Sequence, residues 1–163
     1  MPFLMDSNTF IQAKNQFYRF SFCPGFWNWI AAQHAAGSLS SVSSVEIELK
    51  EGNDELTDWV KNGAPKGFFI APVPAVVTTQ AVVARWVSAQ AAYSPAEKAR
   101  FLAKADPWLI AEAIDSGREV ITFEEFVPAN SSKVKIPNVA TNFGVKCASL
   151  FDVLEASGVR LRI

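Results

Sequence analysis

Histidine and cysteine are scarce in this chain: His34 is the only histidine, and Cys23 and Cys147 are the only cysteines. Phe26, Ile30 and His34 fall four apart, on one face of a helix. The lone imidazole therefore reads as a satisfied, partly buried side chain, which disfavours a catalytic triad. Two isolated cysteines exclude a zinc cluster and a disulfide framework and read instead as small buried hydrophobes. A surplus of charge is missing too. The formal net charge is −1, so no basic field advertises a nucleic-acid partner, and any polyanion would have to be held locally or through bound cations. The start of the chain lacks a basic segment followed by an apolar core and a small-residue cleavage site. The longest apolar stretch, Phe68 to Val77, is too short and too rich in proline to span a bilayer. The expectation is a cytoplasmic protein with no membrane partner.

What the chain does have is core-forming material. Hydrophobic residues make up 50% of its 163 residues, with 13 Phe and 5 Trp, enough for a single domain over 1–163 with a real core. Trp27, Trp29, Trp59, Trp86 and Trp108 read as core or interface anchors.

Apolar Phe3-Leu4-Met5 predicts a buried strand that ends in Asp6-Ser7-Asn8. Pro24-Gly25 reads as a break before a helical pattern that ends at Gly37. Leu39 and Val42 mark a short strand, Ser43 or Ser44 caps a helix running towards Gly52, and Asp54 to Val60 predicts another helix closed by Asn62-Gly63. Phe68-Phe69-Ile70 is either a strand or a packed loop. A long Ala- and Val-rich helix is expected over 75–93. Ser94-Pro95-Ala96-Glu97 then starts the next one, with a capping Ser, Pro at the first helical position and Glu three residues after the cap, and this helix is expected to end near Ala105. Asp106 opens a helix that Gly117 stops, or caps it. Residues 119–123 predict a strand, 134–136 a further one, Cys147 a short one, and Ser149 to Ala156 a last helix. This alternation of β-like and α-like segments predicts an α/β fold, a parallel sheet covered by helices.

Four acids stand out against this pattern. Asp6 follows the first strand, Glu48 lies in Val45-Glu46-Ile47-Glu48-Leu49, Asp106 opens a helix, and Glu124 follows strand 119–123. Chemistry in open α/β sheets gathers beyond the carboxyl ends of the strands. Glu46 pairs at i,i+4 with Lys50 and is a solvated acid on that ground, whereas Glu48 has no such partner. Carboxylates that converge repel and raise one another's pKa, and a hard divalent cation, Mg²⁺ or Mn²⁺, is the group that offsets this. With no His or Cys among them, zinc is not indicated. The reaction expected of such a site is phosphodiester hydrolysis.

Leu4-Met5-Asp6-Ser7-Asn8, Val45 to Leu49, Ala105-Asp106-Pro107-Trp108-Leu109-Ile110-Ala111 and Val120-Ile121-Thr122-Phe123-Glu124, in that order, resemble the PIN-domain family. Phe10 to Lys14, Cys23 to Trp27 and Lys133 to Pro137 extend the likeness over nearly the whole chain, to a PIN-like subgroup resembling the ribonuclease toxins of toxin–antitoxin modules. The resemblance implies a three-layer α/β/α fold with a central, mainly parallel twisted sheet. It implies a Mg²⁺- or Mn²⁺-dependent endoribonuclease, the toxin of a type II module, with RNA as substrate, an antitoxin protein as partner and a homodimer as assembly. Asp6, Glu48, Asp106 and Glu124 take the catalytic, metal-ligating places. Glu125 is the alternative to Glu124, since the usual residue there is Asp. Asn8 and Thr122 match polar positions that orient the acids or the attacking water. Lys14, Lys133 and Lys135 are candidates to meet phosphates. The alternative implied is a noncatalytic PIN-like module that binds RNA or protein. A receiver-type phosphotransfer domain would need a lysine at the matching strand end, and none is convincing.

Overall fold

The computed structural model describes residues 2–161. β1 (Phe3–Met5) lies at the centre of a five-stranded, all-parallel sheet. It pairs with β2 (Leu39–Val42) on one side and β4 (Glu119–Ile121) on the other, while β3 (Phe69–Ile70) and β5 (Cys147–Ala148) form the edges, giving the order β3-β2-β1-β4-β5. A central parallel strand is covered on both faces and reads as a continuous apolar run. Leu4 and Met5 are accordingly fully buried, as are Val120 and Ile121 of β4.

Nine helices are found among the described residues, and the expected three-layer α/β/α architecture is what forms. α1 (Ser7–Gln12) runs on into a π-helical turn at Ala13–Phe17; α2 (Pro24–Ala35) completes the β1-to-β2 crossover. α3 (Ser43–Lys50) and α4 (Glu55–Asp58), the latter extended by a π-helical turn at Trp59–Gly63, connect β2 to β3. α5 (Pro74–Ala89), α6 (Pro95–Leu102) and α7 (Asp106–Ser116) lead from β3 back to β4; α8 (Ile136–Asn142) joins β4 to β5, and α9 (Leu150–Ser157) comes last. Crossovers of one hand that run in opposite directions from β1 cover opposite faces of the sheet. α2 packs on β2 from one side, and α7 packs on β2 and β4 from the other with α5, α6 and α8 around it. No helix among the described residues is long and apolar enough to cross a membrane.

Local signals explain most boundaries. Ser94 accepts from the Glu97 amide and caps α6, and Ser149 does the same for α9 through Asp152. α7 ends where Gly117 takes a left-handed φ of 73°, a conformation that costs glycine little. Four expectations need correction. Pro24-Gly25 does not precede its helix but forms the first turn of it, since proline at N1 gives up only an amide that would be unpaired anyway. α5 stops at Ala89 rather than 93: Gln90 is extended, and its side-chain amide donates to the Trp86 carbonyl, one of the last free carbonyls of the helix. α6 stops at Leu102.

The fourth correction matters for function. Residues 134–136 form no strand, although Lys135 is extended. Side chains take the backbone groups that a ladder would need. The Val134 amide donates to Glu97 Oε1 at 3.1 Å, its carbonyl accepts from Arg100 Nη2 at 2.8 Å, and the Ile136 amide donates to Glu124 Oε2 at 2.7 Å.

Candidate functional site

The strand order reverses between β1 and β4, the point at which open parallel sheets leave a crevice beyond their carboxyl ends. Asp6 emerges from β1 there and Thr122 from β4. Asp6 is only 1% exposed. Its Oδ1 accepts from the Thr9 amide at 2.8 Å, capping α1, and its Oδ2 accepts from Thr122 Oγ1 at 2.7 Å. Burial pushes the Asp6 carboxyl up to about 6 against the lowering effect of the Thr9 and Thr122 bonds, with a small further rise from the charge on Glu124. Thr122 also accepts from the Glu124 amide at 3.1 Å, so one hydroxyl joins the acid after β1 to the acid after β4.

Glu48 comes from α3, on the turn that leads from Val45 into the core. Ser7 Oγ donates to its Oε2 at 2.5 Å and the Ala105 amide to its Oε1 at 2.7 Å. Glu46, by contrast, pairs with Lys50 at 3.1 Å on the outer face of that helix. Asp106 is the first residue of α7, and its carboxyl caps nothing. The amide before it, that of Ala105, is satisfied by Glu48 instead. Burial pushes Asp106 up to about 7, followed by the charges of Glu124, Asp6 and Glu48, with Arg100 pulling the other way. The four acids therefore share one electrostatic environment. Three of them are tied down by protein donors, and among the described residues Asp106 alone of the four accepts no hydrogen bond.

The remaining candidates separate. Thr122 touches two of the acids. Asn8 is exposed on α1 and meets none of them, and Glu125 is exposed beside Glu124. Lys14 forms an ion pair with Asp54 at 2.9 Å, in a different cavity that none of the four acids lines. Lys133 is exposed, and Lys135 sits next to the amide that holds Glu124. His34 is satisfied by the Leu39 carbonyl at 2.9 Å, away from the acids. Cys147 lies beneath them, its thiol pushed up to about 12 by burial and then by Asp6 and Glu124, so it is inert as a nucleophile.

Two contributors had escaped the sequence reading. Ser7, buried directly after Asp6, holds Glu48. Glu97 does not reach back to its own cap: it grips Arg100 through both oxygens, at 3.0 and 3.1 Å, and fixes the 134–136 segment over the site. The i,i+3 spacing of Glu97 and Arg100 was the available signal. The charge of Arg100 is felt at Asp106, but its guanidinium is already committed to Glu97.

An all-carboxylate donor set suits a hard cation such as Mg²⁺ or Mn²⁺ and not zinc. Among the described residues, however, no three His, Cys, Asp or Glu side chains stand close enough together to hold a metal ion as they are. Mg²⁺ commonly takes one or two carboxylates and keeps several waters. Asp106, unbonded, and Asp6, with lone pairs to spare, are the residues that fit such a part, and Glu48 and Glu124 fit outer positions reached through water. Beside the acids, a cavity of about 470 Å³ opens at the carboxyl ends of β4 and β5, lined by Thr122, Glu124, Phe126 and Phe151 among others.

Fold and site together define a three-layer α/β/α protein with a cluster of acids at the reversal point of its sheet. The chain belongs to the family described as Domain of unknown function (DUF4411), which it matches over residues 3–161. Comparison with the curated proteins and with the solved structures gave no match.

Proposed function

We propose that this protein is a metal-dependent endoribonuclease of PIN type, the toxin of a toxin–antitoxin pair, that hydrolyses RNA phosphodiesters. The observation that carries the reading is Asp106: a carboxyl with no hydrogen bond, raised to about 7 by burial and then by the charges of Glu124, Asp6 and Glu48 at the reversal point of the sheet. Such repulsion is costly to keep unless a cation offsets it. Bound there, Mg²⁺ or Mn²⁺ would supply Lewis-acid polarisation of the phosphate and a water of lowered pKa. The chain's own residues do the positioning. Thr122 fixes the Asp6 carboxylate, Ser7 and the Ala105 amide fix Glu48, and the Ile136 amide fixes Glu124. Asp106 is left free to move onto a ligand. Lys133 and Lys135, beside the backbone held by Glu97 and Glu124, are the cations that would meet phosphates beyond the scissile one.

The test is cleavage of mixed RNA with Mg²⁺, Mn²⁺ or chelator. Wild type is expected to fragment RNA only with metal, and to slow growth when expressed alone; Asp6→Asn should do neither. Glu124→Gln should keep partial activity, because its carboxylate acts through water, and Glu124→Gln with Glu125→Gln should lose nearly all of it. One observation favours a second reading, a noncatalytic binding module: both Glu48 oxygens are already occupied by protein donors. RNA binding that survives Asp6→Asn, with no metal-dependent cleavage by wild type, would select that reading.

A further inference from the structure

Phenylalanine rings come to the surface together beside the acids. Phe123, Phe126 and Phe151 line the cavity of about 470 Å³ at the carboxyl ends of β4 and β5, and Phe126 and Phe151 are 64% and 41% exposed. The Phe123 and Phe151 ring centroids lie 5.1 Å apart. Phe17, 39% exposed, completes a cluster with them at 5.6 Å from Phe123 and 5.0 Å from Phe151. Phe17 is not part of the cavity wall, so the apolar surface continues past the cavity. Phe17 ends the π-helical turn after α1, Phe123 follows β4 and Phe151 is in the first turn of α9. Rings brought from separate parts of the chain to one solvent-facing patch mark an interaction surface, whereas apolar residues exposed singly need no such account.

Charge decides what that surface accepts. Glu124, Glu125 and Asp152 share the cavity wall with the rings, and no Lys, Arg or His does. Glu124 accepts from the Ile136 amide. Glu125 and Asp152 are exposed, and among the described residues neither carboxylate has an ion-pair partner. A nucleic-acid backbone entering here would meet carboxylates and no counter-charge. A cation would meet the carboxylates and the rings together, and the two attractions act on the same group. Of the cationic side chains, arginine suits such a wall best: its planar guanidinium stacks on aromatic rings and offers a fork of donors to carboxylate oxygens, whereas the lysine ammonium is a compact, strongly hydrated point charge.

We infer that this groove is a docking site for an arginine side chain of a partner protein. The guanidinium is held by the rings of Phe126 and Phe151 and the carboxylates of Glu125 and Asp152, and an apolar residue next to the arginine in the partner's chain covers Phe17. The continuation of the apolar surface to Phe17, outside the cavity, is what calls for a chain segment and not a free guanidine. Arginine beside aromatic residues is also the composition that dominates the energy of protein interfaces. The inference rests on this groove and not on cleavage of RNA.

The probes are acetyl-Leu-Arg-Leu-amide, the same peptide with citrulline, the uncharged isostere of arginine, and a uridine hexanucleotide, all in chelator. The readout is the backbone amide signals of Phe126 and Phe151 in protein labelled with ¹⁵N-phenylalanine, assigned by their loss in Phe126→Ala and Phe151→Leu. The arginine peptide at millimolar concentration should move both signals saturably, and the citrulline peptide should bind about tenfold more weakly. Phe126→Ala removes a largely exposed ring, leaves the core intact and should weaken the arginine peptide by about two- to fivefold. Asp152→Asn should weaken it by about twofold or more. Equal affinity for the arginine and citrulline peptides, no shift at millimolar peptide, or unchanged binding in both Phe126→Ala and Asp152→Asn would each overturn the inference. Tighter binding of the uridine hexanucleotide at the same signals would overturn it in favour of a surface for bases. If Phe151→Leu does not fold, the Phe126 signal and the two remaining variants still decide the matter. Neither RNA nor metal enters the peptide measurements, so their failure leaves the function proposed above standing, and a protein that cleaves nothing leaves this inference standing.

Discussion

Replacing Asp106 by Asn should stabilise the metal-free protein at neutral and alkaline pH and change little in acid. Burial and the charges of Glu124, Asp6 and Glu48 raise the Asp106 carboxyl from 3.8 to about 7 in the folded state. Below pH 3.8 the group is protonated whether the chain is folded or not, and it imposes no penalty. Between 3.8 and 7 the unfolded chain ionises first, so the folded state loses stability as pH rises; above 7 both states are ionised and the loss is complete. An elevation of about three pH units corresponds to about 4 kcal/mol, an upper bound here because Asp106 is partly open to solvent and shares its titration with Asp6. Asn keeps the shape and removes the charge. For a domain of this size each kcal/mol moves the melting temperature by roughly 2–4 °C, so Asp106→Asn should melt about 5–15 °C above wild type at pH 8 in chelator. At pH 4.5 about a quarter of that gap should remain, because the unfolded carboxyl is already largely ionised there. Thermal denaturation followed by circular dichroism at both pH values measures this directly. A variant that melts with or below wild type at pH 8, or a gap that does not change with pH, would refute the claim that Asp106 is held against its neighbours' charge. Added Mn²⁺ should then raise the melting temperature of wild type and not that of the variant.

Thr122→Val removes the donor to Asp6 Oδ2 and the acceptor for the Glu124 amide, at a cost of about 1–3 kcal/mol for a buried bond. Because the lost bond favours ionised Asp6, the deficit should widen as pH rises through 6 and shrink in acid; urea denaturation at pH 5 and 8 giving equal deficits would count against the link. A separate expectation concerns association: Val73, Val77 and Val82, at the start of α5 and along it, are 58%, 47% and 41% exposed, and the proposed toxin would cover them with a second copy or with its antitoxin. Sedimentation showing only monomer at micromolar concentration, with no partner copurifying from the native host, removes that expectation.

The elements that could be read from the residues are those whose cause is local. Phe3-Leu4-Met5 is apolar on both faces because the strand is central, Ser94 and Ser149 cap α6 and α9 through amides three residues further on, and Gly117 stops α7 by its own φ. Sheet order was not legible, since nothing in a three-residue strand says which neighbour it pairs with; the family resemblance implied only a central, mainly parallel sheet. The parts that could not be read depend on partners far apart in the chain. Val134-Lys135-Ile136 has the alternation of a strand, but Glu97, Arg100 and Glu124 hold its backbone groups, from 37, 34 and 12 residues away.

The acids divide along the same line. Asp6 as a strand-ending acid is legible from Phe3-Leu4-Met5-Asp6, though not its capping of α1, and Asp106 as the opening of α7 is legible from Asp106-Pro107. Neither stretch indicates that the Ala105 amide would be taken by Glu48, 57 residues earlier. Ala105, not Asp106, holds the cap position of α7, and capping belongs to the side chain at that position, so the Asp106 carboxyl caps nothing. The bond to the Ala105 amide brings the Glu48 carboxylate to the head of α7, where the Asp106 carboxyl is unbonded, partly buried and surrounded by like charge. The chain thus commits three acids to holding positions and keeps one uncommitted. It is this asymmetry, more than the number of carboxylates, that distinguishes the cluster from four acids that merely cap and pair.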